Sequence, residues 1–65
     1  MKTEYYALNR DRKTVTRIEA SCWEEMQMRA IMGIVMPDNR VANGIGRCKT
    51  GELEKRAKQS GYVIL

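Results

Sequence analysis

Apolar and polar positions along the chain first fall in the pattern of a β-hairpin. Residues 3–9 (Thr-Glu-Tyr-Tyr-Ala-Leu-Asn) and 14–20 (Thr-Val-Thr-Arg-Ile-Glu-Ala) are rich in aromatic and β-branched types and flank the polar stretch Asn9-Arg10-Asp11-Arg12-Lys13. Such residues suit a pleated, half-buried surface, and the polar break suits a short loop. This reading puts Tyr6 and Leu8 on one face opposite Thr16, Ile18 and Ala20, with Val15 falling on the other face.

The period then changes from two to 3.6. Ser21-Cys22-Trp23-Glu24 fits a capping box, in which the Ser21 hydroxyl accepts an early backbone N–H and Glu24 reaches back to the cap. A helix is expected from Cys22 to Met32, ended by Gly33, with Pro37 barring an unkinked continuation. Met26, Trp23, Ala30, Ile34 and Ile31 share one face, and Met28, Met32 and Val35 widen it beyond what one sheet can cover. Residues 34–49 read two ways: a second hairpin around Pro37-Asp38-Asn39, or one more helical turn followed by loop. Asn43-Gly44-Ile45-Gly46 reads as a turn or linker in both.

Thr50 is a plausible N-cap for a second helix over Glu52–Gln59, with acidic residues in its first turn and basic ones in its last, as the helix dipole favours. Gly61 ends it, and the apolar run Tyr62-Val63-Ile64-Leu65 reads as a terminal strand beside the N-terminal hairpin. The expected fold is α+β over a single domain, residues 1–65. A small antiparallel sheet, the N-terminal β-hairpin plus the C-terminal strand, packs against one amphipathic helix, with a second short helix beside it.

Size and charge narrow the function classes. A core built from 65 residues is worth only about 3 to 5 kcal/mol, and enclosed active sites usually need more chain. Twelve Lys and Arg against eight Asp and Glu give a net charge of +4, which favours solubility and a mild attraction to polyanions. There is no apolar signal-peptide core and no apolar run long enough for a membrane span, so the expected location is cytoplasmic. In that reducing compartment Cys22 and Cys48 read as free thiols. Two cysteines without any His do not close a zinc site, and no metal or cofactor is expected.

The absence of His also leaves no ready base for Cys22, Cys48 or a serine, so the expectation is a protein that is not an enzyme. Gly44-Ile45-Gly46-Arg47-Cys48-Lys49-Thr50-Gly51 resembles a phosphate-binding loop, but Cys48 stands where a Walker A motif requires its second Gly. What that segment still offers is an anion held by helix-start N–H groups near Arg47 and Lys49, against the plainer reading of a loop and cap.

Two binding functions remain. In size, charge and lack of a catalytic set the chain resembles, in type, the small accessory and inhibitor proteins of bacterial viruses and mobile elements. The leading expectation is a protein-binding module, an inhibitor or regulator of a larger complex. It would act through Trp23, Met28 and Met32, with Met36 as a further member, or through an exposed sheet edge. The plainer readings are that the second helix covers the methionines and that Trp23 edges the core. The alternative is a DNA- or RNA-binding regulator using Arg10, Arg12, Lys13, Arg17, Arg47 and Lys49, with Lys55, Arg56 and Lys58 nearby and Tyr5 or Tyr6 stacking on bases. Against it, no recognised nucleic-acid motif is present. The uncovered apolar surface also raises the expectation of a homodimer.

Overall fold

The computed structural model describes residues 2–65. In chain order it contains β1 (Thr3–Asn9), β2 (Thr14–Ile18), α1 (Trp23–Met32), β3 (Gly44–Lys49), α2 (Leu53–Ser60) and β4 (Val63–Ile64). The class is α+β, as the residue pattern predicts. The four strands form one sheet in the order β3-β1-β2-β4; β1 pairs antiparallel with both β2 and β3, whereas β4 joins β2 in parallel, so the sheet is mixed.

Both faces of this sheet are buried, and that explains why the hairpin lacks a clean alternation. Tyr5 and Ala7 of β1 join Ile18, Ile45, Trp23, Met26 and Ile34 on the α1 side. Tyr6 and Leu8 join Val15, Cys48, Leu53, Ala57, Tyr62 and Ile64 on the α2 side. The expected facing set is therefore corrected: Tyr6 is paired with Arg17 and Leu8 with Val15, while Thr16 and Ile18 face the other way with Ala7 and Tyr5. A strand covered on both faces needs apolar residues at successive positions, and the period-2 signal disappears.

The segment Gly44–Gly46, expected as a turn or linker, is the first half of β3. Glycines normally mark turns because they lack a side chain to hold a strand, but here that lack is what the packing uses. A Cβ on Gly46 would stand 2.3 Å from the Tyr6 hydroxyl oxygen, and one on Gly44 would stand 2.9 Å from Leu8 Cδ1. The two β1 side chains lie flat over bare backbone, an approach only glycine permits. Of the two readings for the centre, the hairpin is found: Val35 bridges Val41, Met36 N–H donates to Arg40 O at 2.8 Å, and Asn39 N–H donates to Met36 O at 2.9 Å.

Helix ends follow the expectation at their C-termini and depart from it at their N-termini. Gly33 and Gly61 close the helices with φ of 97° and 74°. The α1 N-cap is Cys22, with no side-chain cap bond, and the helix starts at Trp23. It is Glu25, not Glu24, that reaches back, its Oε2 accepting the Ser21 N–H at 2.8 Å. At α2 the N-cap is Glu52; the Thr50 hydroxyl instead donates to Lys2 O at 3.0 Å and ties β3 to β1.

Candidate functional site

The placement of the helices decides which side chains are left uncovered. Because α1 and α2 lie on opposite faces of the sheet, α2 cannot reach the outward side of α1. At 3.6 residues per turn Met28 stands about 160° around α1 from the buried Met26, facing away from the sheet. Ile31 and Met32 follow it at i+3 and i+4, on the same side. Met28 is 61% exposed, Ile31 82% and Met32 83%.

Beyond Gly33 the central hairpin adds Val35 and its bridge partner Val41, both exposed. Ile31, expected in the core with Met26, belongs to this surface instead. Met36, expected as its further member, is buried at 2% exposure. The signal for Ile31 was present in its three-residue spacing from Met28. Val41 lay in a segment whose pairing no local pattern could establish.

Trp23 is not part of the same surface. It turns toward the sheet, packs with the α1-side core and stacks on Tyr5, with ring centroids 6.3 Å apart and planes 25° from parallel. The Arg47 guanidinium lies 4.8 Å from its ring centroid, a cation–π contact. Three side chains from β1, α1 and β3 thus occupy one another.

The basic residues fall into separate groups. Arg10, Arg12 and Lys13 occupy the β1–β2 turn, where Arg10 donates from its backbone N–H to Asn43 Oδ1 at 2.9 Å and from Nη1 to Asn43 O at 3.1 Å. Arg17 lies on the α2 face, held between Glu4 (Nε to Oε1, 3.1 Å) and Glu54. Arg47 and Lys49 lie on the α1 face of β3. Lys49, at the opposite end of β3 from Gly44, is roughly 17 Å from the turn end of the sheet. Arg47 and Lys49 stand on the extended strand β3, and a turn in which Glu52 N–H donates to Lys49 O at 3.0 Å leads from it into α2, whose N-cap position carries the Glu52 carboxylate.

Both cysteines are free thiols. Cys22 is exposed, and Cys48 is buried against α2. Burial pushes the Cys48 thiol above its ordinary value, a push that nearby Arg56 partly offsets, so the group stays protonated at neutral pH. A buried, protonated thiol acts as a small apolar core residue.

A polar network joins the β1–β2 turn to the central hairpin. Buried Asn9 donates from Nδ2 to Val41 O at 3.1 Å and accepts the N–H groups of Asp11 and Arg12 on Oδ1, each at 3.0 Å. Satisfying a buried amide from three directions fixes where Val41, and with it the end of the apolar surface, is held. No family model matches the chain, and no curated protein or solved structure matches it either.

Proposed function

We propose that the protein is a non-catalytic binding module that presents α1 to the apolar groove of a partner protein, acting as an inhibitor or regulator of a larger complex. The observation that carries this reading is the uncovered row Met28, Ile31 and Met32, extended by Val35 and Val41. The i, i+3, i+4 spacing is the arrangement by which an amphipathic helix anchors in a hydrophobic groove, and thioethers adapt to its shape. In a chain this small, apolar side chains left in water add nothing to an already thin stability margin, which supports their use in a contact.

The nucleic-acid alternative draws less support from the same structure. Its residues are divided between the turn, the α2 face and β3, with Arg17 engaged by carboxylates.

The test compares partner capture by the wild type, by Met28→Glu and Met32→Glu, and by a triple Arg10, Arg12, Lys13 to Ala variant. Capture should be lost in both methionine variants while their circular-dichroism spectra stay unchanged, because a charge placed at an apolar interface is desolvated without a partner. The triple variant should bind with slower association and nearly unchanged dissociation. Nuclease-sensitive capture that survives in the methionine variants and disappears in the triple variant would overturn the proposal.

A further inference from the structure

The sheet has two edges, and they differ. β4 is only two residues long, whereas β3 exposes a six-residue edge. The Thr50 N–H bond to Lys2 O, with the β1–β3 register, identifies which backbone groups of β3 point inward. Hydrogen-bonded and non-hydrogen-bonded pairs alternate in an antiparallel ladder, so Gly46 and Cys48 bond to β1 while the N–H and C=O groups of Ile45 and Arg47 point outward. Among the described residues, these four groups have no hydrogen-bond partner.

We infer that this edge binds an extended segment of a partner protein by strand addition, and that the segment alternates, with two acidic residues followed by an apolar one on the face toward α1. The backbone groups supply two narrow hydrogen-bonded pairs, at Ile45 and Arg47, and the side chains set the sequence. In antiparallel pairing the added residues opposite Lys49, Arg47 and Ile45 all project onto the α1 face. Opposite Lys49 and Arg47, within a chain of net charge +4, acidic side chains fit best. Opposite Ile45, an apolar side chain stands beside a cleft of about 360 Å³ between α1 and the start of β3, lined in part by Ala30, Ile34, Ala42 and Ile45. A second copy of the chain fits this edge less well, because it would bring Arg47 and Lys49 alongside their own positive counterparts, the arrangement by which charged edges resist self-pairing.

The inference is independent of the α1 surface; a chain with both surfaces would bridge two partners or grip one at two places. Its test uses the capped peptide Thr-Glu-Thr-Glu-Thr-Val-Thr, whose glutamates and valine fall opposite Lys49, Arg47 and Ile45. Amide hydrogen exchange is followed by NMR. In the free protein the Ile45 and Arg47 amides should exchange rapidly and the Gly46 and Cys48 amides slowly; added peptide should protect Ile45 and Arg47 specifically.

A peptide with lysines for the glutamates should bind about tenfold more weakly or worse, as should one N-methylated at the valine. Lys49→Glu should largely abolish the charge preference, because Arg47 still faces the second position, and Met32→Glu should leave peptide binding unchanged, which separates failure here from failure of the α1 reading. No binding, equal binding of the lysine peptide, or binding without protection at Ile45 and Arg47 overturns the inference. So does concentration-dependent protection of the two amides in the free protein, which would make a second copy the occupant.

Discussion

Position 46 shows how one missing side chain can hold a fold together. The Tyr6 ring lies directly over Gly46, on the face packed by Leu53 and Ala57. In a strand alanine would ordinarily be an improvement, since glycine weakens strands through its backbone entropy. Here the added methyl group must displace Tyr6 from its packing. Gly46→Ala should therefore destabilise by about 1–3 kcal/mol, the usual range for overpacking. Chemical denaturation of Gly46→Ala, Tyr6→Leu and the double variant checks this: once Tyr6 is cut back, the alanine should cost little, giving a coupling well above the roughly 0.5 kcal/mol seen between independent sites. Additive effects would mean that the glycine serves backbone freedom alone.

Among the elements, α1 shows how a correct helix prediction can rest on a misassigned contact. Its N-terminus does use a carboxylate returning to a backbone donor, but the partners are shifted by one residue, to Glu25 and the Ser21 N–H, and the Ser21 hydroxyl makes no capping bond. Ser21→Ala should thus leave the denaturation midpoint almost unchanged. Glu25→Ala removes both that bond and an acidic residue from the first turn, and should cost about 0.5–1 kcal/mol. Thermal or urea unfolding of the two variants side by side distinguishes them; a larger loss from the serine would restore the hydroxyl cap. The apolar arc of α1 was equally legible, and its excess width was real. Which residues made up the excess was not legible, because the helical wheel gives angles between side chains and leaves open the direction of the sheet. Ile31 moved to the surface for that reason, whereas Met36 moved to the interior because it lies beyond Gly33, on the central hairpin.

At the scale of the molecule, two core clusters lie back to back across one sheet, and β1 supplies residues to both. Loss of either cluster should therefore be felt through the whole chain. Leu53 is almost fully buried on the α2 side. Leu53→Ala should cost about 2–5 kcal/mol, comparable with the entire margin of a domain this size. The expected result is a largely unfolded protein at 25 °C, in which Trp23 fluorescence and helical ellipticity are lost together although Trp23 lies on the opposite face. Retention of the Trp23 environment after loss of α2 would show that the α1 side stands alone.

By itself the sequence determined the local elements whose physics is local. The hairpin strands, α1, α2, the glycine stops at Gly33 and Gly61 and the terminal strand follow from side-chain shape, period and backbone freedom within a few residues. It also determined that α1 carries more apolar surface than one sheet face covers. Tertiary structure alone decided that β3 exists, because Gly44 and Gly46 make a strand only with Tyr6 and Leu8 laid across them from β1. It alone decided that the helices take opposite faces, leaving Met28, Ile31 and Met32 open, and that Arg47 closes over Trp23 instead of joining the basic residues of the β1–β2 turn. Each of these depends on contacts between residues far apart in the chain, and a one-dimensional pattern does not say which distant residues will meet.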